Sequence, residues 1–185
     1  MTAEPTSGKD DFQTPAEIAC PPLLRHICPE WRLWEPAQGK GNIVRYFRAQ
    51  GYEMHGSDIK TGHDFLTDEP PCEFDCIITN PPYSGKNVYD WLSKCYRIGK
   101  PFALLIPIKS FDSYRRQKLF HEYGLEVILL PRRVAFETPT GKTGRDSNPN
   151  LMTAWFTFGL DIGQQITFTG MAEEEKPQLR LELAG

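Results

Sequence analysis

The apolar run from Phe74 to Thr79 ends abruptly at Asn80-Pro81-Pro82-Tyr83. Its length and β-branched content predict a buried strand. Two consecutive prolines can neither continue a central strand nor readily enter a helix interior, so the chain must leave that strand through a rigid turn. Other strands are predicted at Arg32–Glu35, Tyr52–Ser57, Phe102–Ile106, Leu125–Leu130 and Leu151–Phe158, with a short one at Ile166–Thr169. Between them lie helical patterns at Asn42–Gln50, Asn87–Ile98 and Ser113–Tyr123. Another precedes the first strand, at Pro15–Cys28, with Thr14 as N-cap and Pro15 at the first helical position. Val88, Trp91, Leu92 and Cys95 recur at core-face spacing in the Asn87–Ile98 pattern. Strands alternating with helices imply an α/β fold with a mostly parallel sheet.

Such sheets bind ligands outside the carboxyl ends of their strands. Three segments fall there: Glu35-Pro36-Ala37-Gln38-Gly39-Lys40-Gly41, Gly56-Ser57-Asp58-Ile59, and the Asn80 to Tyr83 turn. Glycines after a strand let a ligand approach the backbone, because no Cβ stands in the way. A dinucleotide fingerprint would need a third glycine where Val44 stands. The acidic Glu35 would repel a pyrophosphate but suits a cationic group such as the amino end of a methionine moiety. Asp58 is placed to accept from both ribose hydroxyls, or else to cap a turn. Ile59 is placed to pack on an adenine ring. Asp64 could accept from the adenine amino group, and Phe65 could cover the ring face.

The proline turn carries the sharpest chemistry. It aims the Asn80 side chain and the Pro81 carbonyl at one spot, and both can accept a proton of a planar amino group. Holding those protons draws the nitrogen lone pair out of conjugation, towards an incoming methyl. Tyr83 offers a flat face to stack on a base. Catalysis of this kind is positioning plus electrostatics, with no covalent enzyme intermediate.

Taken in order, Asp11-Phe12-Gln13-Thr14-Pro15, Glu35 to Gly41, Asp58, Asp64-Phe65 and Asn80-Pro81-Pro82-Tyr83 resemble the class I S-adenosylmethionine-dependent methyltransferases. Within these, the N6-adenine DNA methyltransferases of the γ arrangement are the nearest in motif order. The resemblance spans roughly Asp11 to Gly159 and implies a Rossmann-like sheet, mostly parallel with an antiparallel C-terminal strand, and S-adenosylmethionine as cofactor. It implies that Thr14 and Glu35 contact the methionine part, Asp58 the ribose, and Asp64 and Phe65 the adenine. Pro36, Ala37, Gly39, Gly41, Ile59 and Asn80 complete that site, and Asn80, Pro81, Pro82 and Tyr83 are its catalytic residues. Phe136 matches loosely the aromatic that packs on the target base. DNA is the implied partner, in a bacterial or bacteriophage-infected cytoplasm. A base inside a duplex is out of reach, so it must be flipped out or presented on a single strand.

One departure is that restriction enzymes of this family carry a separate target-recognition domain, for which this chain has no room. The expected organisation is a tail at 1–10, one methyltransferase domain at 11–170 and an acidic tail at 171–185. The polar loop Glu137–Asn150 is the obvious insertion, and its Lys142 and Arg145 join Lys109 and Tyr83 as substrate-binding candidates. The net charge of −3 gives no general attraction to nucleic acid, yet Arg97 to Arg145 holds about ten Lys or Arg against about four Asp or Glu. Gly141-Lys142-Thr143 does not make a phosphate loop, since the first glycine would have to be Phe136.

The same tetrapeptide serves RNA N6-adenine, RNA N2-guanine and protein glutamine methylation, and a catalytically silent subunit would retain the cofactor pocket. The N-terminal Thr-Pro segment favours DNA by resemblance. No apolar run approaches the ~20 residues of a membrane span. The five cysteines suit buried free thiols, and Cys72 with Cys76 lacks a second pair to complete a zinc site, so no metal is expected.

Overall fold

A computed structural model describes residues 13–83, 87–136, 152–163 and 166–168. The strands are β1 (Leu33–Glu35), β2 (Met54–Gly56), β3 (Cys76–Thr79), β4 (Phe102–Pro107), β5 (Glu126–Leu129), β6 (Thr153–Phe158) and β7 (Ile166–Phe168). The helices are α1 (Ala16–Ala19), α2 (Asn42–Ala49), α3 (Asn87–Ile98) and α4 (Tyr114–Tyr123). All strands join one sheet in the order β2-β1-β3-β4-β6-β5-β7. Among the described strands only β6 runs antiparallel to its neighbours, between β4 and β5, while the later β7 pairs parallel with β5.

Residues of β3, β4 and β6 alternate between the two faces of the sheet, and each face has its own core. Ile78, Ala103, Leu105 and Trp155 join Leu23, Ile43 and Phe47 on one side. Ile77, Phe102, Leu104, Ile106 and Phe156 join Trp91, Leu92 and Cys95 on the other. The Trp155 indole N–H donates to the Ala19 carbonyl at 2.7 Å, tying α1 to the middle of the sheet. This doubly covered sheet explains why β3 and β4 read as continuous apolar runs.

The expected boundaries of α3 agree with the structure, and those of α2 do so within one residue. The N-terminal helix differs. Pro15 itself is the N-cap, its carbonyl accepting from the Ile18 and Ala19 N–H groups, so the expectation of Thr14 as cap is corrected by one residue. The α-helix lasts four residues and gives way to a 3-10 helix at Pro21–His26, because Pro21 and Pro22 supply no N–H for the α-helical ladder. Cys20, Cys76 and Cys95 are buried, and Cys28 is exposed. No described helix is long and apolar enough to cross a membrane. The expected tails fall on residues outside those described.

Candidate active site

Beyond the carboxyl end of β1 the chain turns through Pro36 to Gly41 into α2. Gly39 (φ +51°) and Gly41 (φ +75°) are left-handed, a conformation that disfavours a Cβ. The β1–β2 pairing continues past the strands, since the Ser57 N–H donates to Glu35 O at 2.9 Å and the Gln38 N–H to Ser57 O at 3.0 Å. Asp58, leaving β2, accepts from the Gly39 N–H at 2.9 Å and from the Lys60 N–H at 2.9 Å. It therefore caps the 3-10 turn Ile59–Thr61 and fixes the glycine loop together. Ile59 stands 57% exposed beside it, an uncovered apolar side chain at a strand end.

The N-terminal segment rests on the same loop. The Lys40 N–H donates to Gln13 Oε1 at 3.0 Å, and the Asn42 side chain donates to Thr14 O at 3.0 Å. Gln13 and Thr14 are both buried. Gln13 was not among the residues expected at the site. Its only sequence signal is its position next to Thr14, since a glutamine carries no periodicity. Gln38 and Ser57 are likewise unforeseen. The Gln38 side chain fills the space that a Cβ on Gly56 would take, with its Oε1 the nearest atom.

Glu35 is the electrostatic outlier. It is 2% exposed, and one carboxyl oxygen, Oε2, has no hydrogen-bond partner among the described residues. Burial pushes its carboxyl well above the usual range and the Asp58 charge adds to this, while a hydrogen bond from the Val44 N–H and the Arg45 charge oppose it. An acceptor held in this way is suited to a cationic donor.

Beyond β3 comes the proline turn. Pro81 is buried, while Asn80, Pro82 and Tyr83 are half-buried. The Tyr83 hydroxyl lies within hydrogen-bond reach of the Asn80 side-chain amide and of the Leu105 carbonyl of β4, the latter at 2.8 Å. Burial raises the Tyr83 phenol well above its ordinary value, so it stays protonated.

Two expected ligand-facing aromatics are core residues instead. Phe65 is 2% exposed, stacked on Trp91 at 4.2 Å between ring centroids and packed against Trp34 at 5.6 Å. Its face is already covered, which corrects the expectation of an adenine platform. Phe136 is 1% exposed and meets Tyr83 edge-on at 6.4 Å, so it buttresses that ring from within and presents no face to a base. In both cases burial of a whole aromatic ring prevailed. Asp64 accepts from the Leu66 N–H at 2.9 Å, within its own turn. Lys109 is exposed on the 3-10 turn Ile108–Phe111 that leaves β4. Lys142 and Arg145 lie outside the described residues. Of the other basic residues, Arg116 is turned inward, donating to Ser110 O at 2.6 Å, and Arg115 lies over the Tyr89 ring at 3.9 Å.

The glycine loop, Asp58, Asn80 to Tyr83 and Lys109 thus follow the carboxyl ends of β1, β2, β3 and β4, on one rim of the sheet. An open groove of about 880 Å³, lined by Glu69, Pro70, Phe74, Arg97 and Lys100 among others, lies near the amino ends of β3 and β4 and holds none of these motifs.

No protein-family model and no curated protein matches the sequence. Solved structures do match. A type I restriction-modification system methyltransferase subunit from Streptococcus thermophilus superposes with a TM-score of 0.57 and 16% identity, over 88% of this chain and 48% of that one. A candidate class I S-adenosylmethionine-dependent methyltransferase from Listeria monocytogenes superposes with a TM-score of 0.51 and 14% identity, over 73% of this chain and 56% of that one. The superposed region spans about half the length of each. At these identities the likeness is one of architecture: the chain has the α/β fold of the class I S-adenosylmethionine-dependent methyltransferases.

Proposed function

We propose that this chain transfers the methyl group of S-adenosylmethionine to an exocyclic amino nitrogen, N6 of adenine in DNA. The observation that carries the reading is the Asn80-Pro81-Pro82-Tyr83 turn, leaving β3 on the same rim as the glycine loop and Asp58. The restriction-modification name of one solved neighbour favours DNA among amino-bearing acceptors.

The residues present fit the cofactor. Glu35 Oε2 is a buried acceptor with no partner among the described residues, as the ammonium of a methionine moiety requires. Asp58 and the exposed Ile59 suit a ribose and an adenine face. Bound there, the cofactor supplies an electrophilic methyl on a positively charged sulfur. The chain's own part is to hold the acceptor. An Asn80 oxygen and the Pro81 carbonyl accept the two protons of the target amine, which raises lone-pair density on the nitrogen and aims it. Tyr83, braced by Phe136, supplies a face for a base taken out of its stack. Lys109 stands on the same rim to meet phosphate.

The test is transfer of tritiated methyl from the cofactor to unmethylated duplex DNA, single-stranded DNA, total RNA and protein extract, each digested and analysed. Label in N6-methyladenine from DNA is expected, and loss of most of it in Asn80→Ala with cofactor affinity within a few-fold. Label confined to RNA or protein would overturn the DNA assignment. Absence of label from every acceptor, with cofactor bound, would overturn the catalytic reading.

A further inference from the structure

Beside the proline turn the same rim carries aromatic and basic side chains in alternation. β4 runs through the 3-10 turn Ile108–Phe111 into α4, so the first turn of α4 stands at the carboxyl end of the sheet. β3 and β4 are hydrogen-bonded neighbours, and the segments that leave them therefore start about 5 Å apart. Tyr114 opens α4 with 73% of its surface exposed, and Lys118 Nζ lies 4.8 Å from its ring centroid. Arg115 lies over Tyr89 in the first turn of α3, the helix that follows the proline turn. The support beneath is fixed. Arg116 and the Gln117 side chain donate to Ser110 O and Phe111 O, and the Phe111 ring meets Phe156 of the core at 4.8 Å between centroids. From Lys109 to Lys118 the chain holds four basic residues against one acid, Asp112. Among the described residues, Lys109, Arg115 and Lys118 have no carboxylate partner.

A tyrosine this exposed contributes little to the core, while its open ring is available to a planar partner. Cations beside open aromatic faces are the combination that holds a single nucleic-acid strand. The cations meet phosphates, and the rings stack on bases that no complementary strand covers. We infer that the first turn of α4 binds DNA flanking the target base as a single strand, with Tyr114 stacked on an unpaired base and Lys109, Arg115 and Lys118 on phosphates. Tyr89 holds the Arg115 guanidinium in place for that contact. A paired flank would offer phosphates to the cations but no base face to Tyr114. The inference rests on the amino-methylation reading and adds to it the strandedness of the acceptor.

Fluorescence anisotropy with a labelled oligothymidylate, which has no amino group to methylate, reads this on the full chain without cofactor. Tyr114→Ala is expected to weaken single-strand binding about tenfold or more, with an unchanged thermal midpoint, and Tyr114→Phe to stay within about twofold of wild type. Binding of a blunt duplex should change by less than about twofold in both. Arg115→Ala and Lys118→Ala should each lower the magnitude of the single-strand salt slope by about 0.7. Wild-type single-strand affinity in Tyr114→Ala, or an equal loss on the duplex, would overturn the inference. Tighter binding of oligouridylate would overturn its assignment to DNA, and self-association abolished by Tyr114→Ala would give the surface to a second copy instead. A chain that transfers no methyl would still show the Tyr114 effect, whereas DNA methylation without that effect refutes this inference alone.

Discussion

Glu35→Gln separates the two roles of a buried carboxyl, because it is expected to stabilise the empty protein and weaken its ligand complex. The substitution is isosteric, and the remaining oxygen can still accept from the Val44 N–H. What is lost is a charge whose Oε2 has no partner among the described residues. The folded protein holds this proton more tightly than the unfolded chain does. Stability therefore falls as pH rises above the unfolded carboxyl value of about 4.3, across the window up to the raised folded one. Glutamine has no such slope. The glutamine NH2 takes the same unpartnered place, so what is removed is the cost of ionising a buried carboxyl, on the order of 1–3 kcal/mol at pH 8. For a chain of this size that corresponds to a gain in Tm of roughly 3–9 °C at pH 8. At about pH 3, where the glutamate is protonated in both states, the gain is expected to vanish. Cofactor binding should move the other way, through loss of a charge-assisted hydrogen bond of about 1.5–3 kcal/mol, or a Kd weakened roughly 10- to 150-fold. Calorimetry at both pH values with and without S-adenosylmethionine measures both effects. Unchanged affinity would refute the ammonium assignment, and a lower Tm at pH 8 would refute the electrostatic argument.

Asp58→Ala removes the acceptor for the Gly39 and Lys60 N–H groups and should weaken cofactor binding, with calorimetric affinity equal to wild type excluding a ribose role. Phe65→Ala is expected to cost about 3–5 kcal/mol in urea denaturation, as for a core aromatic, with the residual folded protein binding cofactor normally. A binding defect without a stability loss would restore Phe65 to the site. Lys109→Ala should weaken DNA binding and lower the magnitude of the salt slope by about 1, whatever the sequence offered. An unchanged slope would remove Lys109 from the DNA contact.

Much of this arrangement is legible in the sequence because backbone-limited residues mark it. Pro81 and Pro82 end β3, Gly41 and Gly51 bracket α2, and the apolar period of α3 sets both of its ends. Residues whose role depends on distant partners are not legible. An aromatic beside a motif looks the same in sequence whether it faces a ligand or, like Phe65 and Phe136, is covered by Trp91 or set edge-on to Tyr83. Gln13 and Gln38 matter because they fill the space beside Gly39 and Gly56, which is a property of packing alone. The insertion of β6 between β4 and β5 has no local signal either, since its apolar pattern would suit an edge partner equally well.

That insertion sets an order of events during synthesis. When β5 has left the ribosome, the strand that must separate it from β4 has not yet been made, and the Ala19 carbonyl still awaits the Trp155 indole. The middle of the sheet therefore closes late, by a contact spanning 136 positions, and nascent chains released before Phe158 would expose the facing edges of β4 and β5 to each other and to neighbours.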